Sequence, residues 1–166
     1  MHIKELMSQP AVTCTERDHL DVPARLMWEY DCGVIPVVDD DGRLCGVVTD
    51  RDICMAAYTQ GQPLHAISVT TAMARDVMSC HPDDAIEDAE RLMRDGQIRR
   101  VPVVDAAGRP QGVVSLNDVA RATARGKKSS IDRELVTTMA AICEPRRRPD
   151  GAVAGARPTL TRSLAS

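Results

Sequence analysis

Hydrophobic positions along the chain follow one succession that occurs twice. Leu20, Ala24 and Met27 recur at helical spacing, and a β-branched run over Val34, Ile35, Val37 and Val38 follows. Asp and Gly residues then mark a turn, and a second apolar run ends in Val47 and Val48. The succession returns with Ile86, Ala89, Leu92 and Met93 at helical spacing, then Val101, Val103 and Val104, a turn, and Val113 and Val114. Each half therefore predicts a helix, a two-stranded hairpin and a second helix that opens at Thr49 or Ser115. The short extended stretches "AVTC" and "VMSC" precede the first helix of each half, so the predicted order is β-α-β-β-α, in duplicate.

A single displacement of 66 residues, the separation of Gly46 from Gly112, superposes the two halves without a gap. It pairs Met7 with Met73, Cys14 with Cys80, Arg25 with Arg91, Pro36-Val37-Val38-Asp39 with Pro102-Val103-Val104-Asp105, and Asp52 with Asp118. A repeat in such constant register is one supersecondary unit built twice. The expected fold class is α+β, with one repeat over residues 1–60 and the other over 73–125. Residues 61–72, with Gly61 and Pro63, read as a connector. Within 126–144 the spacing of Ile131, Leu135, Met139 and Ile142 predicts an amphipathic helix with Ser130 as its N-cap. Residues 145–166 lack periodicity and read as a mobile tail.

Composition narrows the function. The chain has no Phe, one Trp and two Tyr, so its core is aliphatic and no platform for stacking bases is expected. The formal charge of −3 gives no general attraction to phosphate backbones, which argues against nucleic acid as a partner; the short run Arg146 to Arg148 reads as a solvated segment. No apolar run approaches the length of a membrane span and the first residues do not resemble a signal peptide, so a cytoplasmic protein is expected. The six cysteines form no CxxC and follow no zinc-ligand spacing; reduced thiols, several of them buried, are expected, with no metal. Cys14 and Cys80, equivalent by the repeat, would lie symmetrically about any internal twofold. No catalytic residues are assigned and no enzyme activity is expected, because nucleophile-elbow, P-loop and paired-carboxylate patterns are missing.

The chemistry concentrates where each second helix begins, at "TDRD" (Thr49–Asp52) and "SLND" (Ser115–Asp118). A hydroxyl followed three residues later by an acid is a capping-box variant worth about 1 kcal/mol per helix. The same geometry suits a ligand: free N–H groups at a helix start attract phosphate, and a nearby carboxylate can accept both hydroxyls of a ribose. Both readings stand on the residues alone.

The duplicated "IPVVD…G…GVVTDRDI" and "VPVVD…G…GVVSLNDV" resemble a tandem pair of CBS domains, the module first named in cystathionine β-synthase, over about residues 1–125. The resemblance implies two halves packed through their sheets about a pseudo-twofold axis, with two clefts between them. It also implies a regulatory module that binds an adenine nucleotide or S-adenosylmethionine and dimerises, with the general look of small stress-associated bacterial members. It places Asp52 and Asp118 at ribose and Thr49 and Ser115 at ribose or phosphate. Residues just before the repeated Pro line the cleft in this family, which makes Arg99 and Arg100 phosphate candidates. Alternation along a strand allows at most one of the two to face a given cleft. Arg51 is a further phosphate candidate, and Val34, Ile35 and Val101 are expected to flank the base. Trp28, on an otherwise polar helix face, is a candidate homodimer contact, the alternative being a place beneath the C-terminal helix. The resulting expectation is a ligand sensor acting in trans on an unidentified protein. A ligand-free interaction module and a thiol- or metal-responsive stress protein are the alternatives.

Overall fold

A computed structural model describes residues 1–125 and 130–144. The tail read over 145–166 lies outside the described residues. Among the described residues, five strands and five α-helices follow the predicted order except for the first strand of the second repeat: β1 (Cys14–Thr15), α1 (Asp21–Glu29), β2 (Val34–Val38), β3 (Leu44–Thr49) and α2 (Asp50–Gln60) form the first repeat. The second contributes α3 (Ile86–Gly96), β4 (Arg100–Val104), β5 (Pro110–Ser115) and α4 (Leu116–Arg125), and α5 (Ser130–Cys143) follows. β2 and β3 pair antiparallel and β1 adds in parallel to β2, while β4 and β5 form the matching hairpin. The place of β1 in the second half is taken by a single parallel bridge from Cys80 to Val103.

The hairpins are specified by identical turn chemistry. Asp39 Oδ1 accepts hydrogen bonds from the N–H groups of Asp41 (2.9 Å) and Arg43 (2.8 Å), and Asp105 Oδ1 accepts from Ala107 and Arg109, both at 2.9 Å. Gly42 and Gly108 supply the positive φ (74° and 80°) that closes each turn. The Arg109 N–H, foremost, holds the Asp105 carboxyl below the usual carboxylate range.

The halves are interlocked by exchanged leading segments. Ser8 pairs with Val113 of β5, and Ala74 pairs with Val47 of β3. The four backbone hydrogen bonds concerned, two per crossing, measure 2.9–3.1 Å. Ile3 lies in the second core with Met93, Val101 and Val114, whereas Ile67, Val69 and Met73 lie in the first with Leu20, Ile35 and Val48. Residues read as a connector thus carry core side chains. Gly46 and Gly112 mark the crossings: a Cβ at Gly112 would meet the Ser8 carbonyl oxygen at 2.6 Å, and one at Gly46 the Met73 sulfur at 2.7 Å. Gly112 has no room for a side chain because another backbone passes directly over the strand, and Gly46 has little, with the Ala74 carbonyl oxygen 3.1 Å from a Cβ.

α5 breaks the twofold. It packs against α3 and α4 of the second repeat, and the Gln97 side-chain amide donates to the carbonyls of Ala141 (3.2 Å) and Glu144 (3.3 Å) at its C-terminal end. Among its described side chains Thr138 and Ile142 are buried, Leu135 is half-buried and Met139 is 44% exposed. The predicted stripe holds at Leu135 and Ile142 and departs at Met139: a helix seated in the groove between two others buries positions 138 and 142, one turn apart, while Ile131 lies outside the described side chains. Trp28 on α1 is 88% exposed, so no described element covers it, the C-terminal helix included.

Ile3, in the leading segment of the first repeat yet fully buried in the second core, gives a direct test of the interlock. Ile3→Ala should cost about 2–5 kcal/mol in denaturant unfolding, whereas Val136→Ala, on the exposed side of α5, should change stability by less than about 0.5 kcal/mol.

Candidate functional site

A cleft of about 680 Å³ opens between the repeats. One wall is the crossing segment Ser8 to Val12 and another is the loop after α1, with Tyr30, Asp31 and Cys32. The floor carries Val34 and Arg100, and the start of α4 supplies Ser115, Asn117, Asp118 and Arg121. Val34 and Arg100 are equivalent in the repeat and meet in this one cleft, as two sheets facing across a pseudo-twofold require.

Asp118 is only 6% exposed. Its Oδ2 accepts from the Ser115 N–H (2.8 Å) and hydroxyl (2.5 Å), and the Asp118 N–H donates back to Ser115 Oγ at 3.3 Å. Its Oδ1 pairs with the guanidinium of Arg121, one helical turn on, whose side chain is 64% exposed. In the first repeat Thr49 and Asp52 form the same capping box, with Asp52 Oδ2 accepting from the Thr49 N–H at 2.9 Å and its hydroxyl at 2.6 Å. The position equivalent to Arg121 is Met55. Both motifs thus act as caps, and the two aspartates differ in what meets their second oxygen.

Of the two adjacent arginines, Arg100 faces the cleft, while Arg99 is exposed and absent from its lining. Gly33 makes room for Arg100: a Cβ there would lie 3.1 Å from the Arg100 guanidinium and 2.8 Å from the Asp50 carboxylate at the start of α2. Arg51 is exposed and does not line this cleft. Ile35 and Val101 do not flank it either. Each is 0% exposed within a core, because strand alternation turns them away from the face that Val34 and Arg100 occupy. Tyr30, Asn117 and Arg121 are cleft residues that the motif reading passed over. Arg121 had a signal in the sequence, since it stands three residues past the repeated aspartate where the other copy has Met.

Cys14 and Cys80 lie in separate cores as free thiols, so symmetry does not bring them together. Burial, reinforced by Asp18 and Asp84 respectively, pushes each up to about 12. Cys32, at the cleft, is also raised, chiefly by burial, with Arg100 opposing. Among the described residues, no three His, Cys, Asp or Glu side chains cluster as metal ligands, and no helix is long and apolar enough to cross a membrane.

Known proteins match this arrangement. The CBS domain family model fits residues 3–58 and again 68–125. The CBS domain-containing protein YhcV of Bacillus subtilis is 36% identical over 118 residues, covering 71% of this chain and 82% of that protein. Hypoxic response protein 1 of Mycobacterium tuberculosis is 30% identical over 135 residues, covering 81% of this chain and 89% of that protein. Among solved structures, the CBS domain pair of protein MJ0100, in complex with 5′-methylthioadenosine and S-adenosyl-L-methionine, superposes with a TM-score of 0.69. It is 26% identical, and the match covers 76% of this chain and 98% of that one.

The thiols and the caps can each be tested. Alkylation of the folded protein at pH 8 should label exposed Cys54 and Cys143 and reach Cys14 and Cys80 only after unfolding. Because the core thiols hold their protons to a higher pH when folded, their contribution to stability is complete below about 9 and lost as pH climbs toward about 12. Denaturant midpoints should therefore fall between pH 8 and pH 10, less steeply in a Cys14→Ala/Cys80→Ala variant. Removing either cap, Asp52→Ala or Asp118→Ala, should cost about 1 kcal/mol in the absence of any ligand.

Proposed function

The chain belongs to the CBS domain family, and we propose that it is a regulatory CBS pair whose inter-repeat cleft at Asp118 binds an adenosyl ligand. The observation that carries this reading is the cleft itself: a buried carboxylate at a helix start, flanked by Ser115, Arg100 and Arg121, with Val34 on the floor. A carboxylate so placed suits a vicinal diol, while the helix N-terminus and the two cations suit an anionic group. Apolar walls with a few convergent polar groups are the usual form of a small-molecule site. The related pair of MJ0100 binds adenosyl compounds, which supports the same ligand class here.

Regulation rather than catalysis is the role in this reading. A ligand held between the halves favours one arrangement of them by its differential affinity, and the altered surface signals in trans to a protein partner. A cytoplasmic setting and a stress response fit this role; the name of the mycobacterial relative favours the latter. Self-association belongs to the proposal as well. α1 and α2 pack together and carry Trp28 and Tyr58, 88% and 81% exposed, on the counterpart of the helix pair that α5 covers. Trp28→Ala should then shift the sedimentation of a homodimer toward the monomer.

Calorimetric titration with AMP, ATP and S-adenosylmethionine tests the ligand. Micromolar binding of at least one, abolished by Asp118→Ala in a protein that still folds, is the expected result. The absence of heat with all three would leave both repeated motifs as helix caps alone and favour an interaction module.

A further inference from the structure

Three of the four acceptor sites of the Asp118 carboxylate are taken before any ligand arrives. Its Oδ2 is committed to the cap through Ser115, and its Oδ1 to Arg121. Two hydroxyls of one ribose need both acceptor sites of Oδ1, one of which Arg121 holds, and so must displace the guanidinium. Arg121 is well placed to move: it lines the cleft, its side chain is 64% exposed, and it is tied to Asp118 by one ion pair. Displacement breaks a charge-assisted bond, and an uncharged ligand offers nothing in return. A ligand with a phosphate near its ribose gives the freed guanidinium a new anion within the same cleft, where Arg100 also stands. A cationic ligand is worse than neutral, since it must share the cleft with both arginines.

The first repeat supplies the internal comparison. Asp52 is capped through Oδ2 in the same way, but the residue one turn on is Met55, so a diol can approach its second oxygen without breaking an ion pair. The duplication has kept the carboxylate and the cap in both copies and changed the residue beside them.

From this contrast we propose that Arg121 is the specificity-determining residue of the Asp118 cleft, exchanging its carboxylate partner for a ligand phosphate and so selecting a phosphorylated nucleoside over an uncharged or cationic adenosyl compound. The inference rests on the adenosyl-ligand reading of this cleft and adds its ligand class.

The test is calorimetry in an Asp52→Ala background, so that only the Asp118 cleft reports, with AMP, 5′-methylthioadenosine and S-adenosylmethionine as probes. AMP should bind at least about tenfold more tightly than either of the others, a preference in the range that one charge-assisted contact provides. Added KCl should weaken AMP binding while 5′-methylthioadenosine holds or tightens slightly, since salt also screens the ion pair it must break. Arg121→Met, which copies the first repeat, should erase the preference by weakening AMP while 5′-methylthioadenosine holds or tightens. Arg121→Lys retains the charge and should retain most of the preference; it also serves as the test protein if the Met variant melts early. Equal loss of AMP and 5′-methylthioadenosine in Arg121→Met, or tighter binding of the uncharged or cationic compound by the parent, overturns the selectivity and leaves the adenosyl reading intact. Failure of all three compounds to bind the parent overturns both.

Discussion

Each half of this protein is completed by the other. The backbone of Ser8 hydrogen-bonds to Val113, and that of Ala74 to Val47, so the leading segment of each repeat edges the opposite sheet. Ile3 and Val69 follow those segments into the cores. A single repeat would have an open strand edge and an unfilled core, a combination that seldom stands alone in water. The cleft depends on the same constraint, since Ser8 to Val12, which leaves the crossing at Val113, forms one of its walls. Folding, the pseudo-twofold and the site are therefore consequences of one crossed pairing, and glycine at 46 and 112 is its steric condition.

On that symmetric frame the functional features are asymmetric. Arg100 stands opposite Val34, Arg121 corresponds to Met55, and Trp28 corresponds to Arg94. α5 packs on α3 and α4, the helices of the second repeat. None of these differences disturbs a cap, a turn or a crossing. That freedom has a physical basis: the cap uses one oxygen of each aspartate, leaving the other oxygen and the next helical turn open to variation. The surroundings of the two aspartates can thus diverge without loss of the fold.

The repeat, the element order and both capping boxes were legible in the sequence because they are local. Helical spacing, an Asp-Gly turn, and a hydroxyl three residues before an acid each act over a few positions. The side of the strand on which Arg100 projects was constrained by alternation, which excluded a shared cleft for Arg99, although alternation alone did not say which arginine would enter. The same alternation places Ile35 and Val101 in the cores beside Val34 and Arg100 at the cleft, an assignment that needs the register of the hairpins.

The sequence by itself determined that one β-α-β-β-α unit occurs twice and that each second helix opens on a capped aspartate. Tertiary structure decided which half each leading segment completes. A displacement of 66 residues fits a segment folded onto its own repeat as well as one exchanged with its neighbour, and only the strand edges distinguish them. It also decided that Arg121 meets the Asp118 carboxylate at a cleft and that α5 buries Thr138 and Ile142 and leaves Met139 at the surface. Such outcomes depend on contacts between segments distant in the chain, and periodicity along one segment carries no information about its partner.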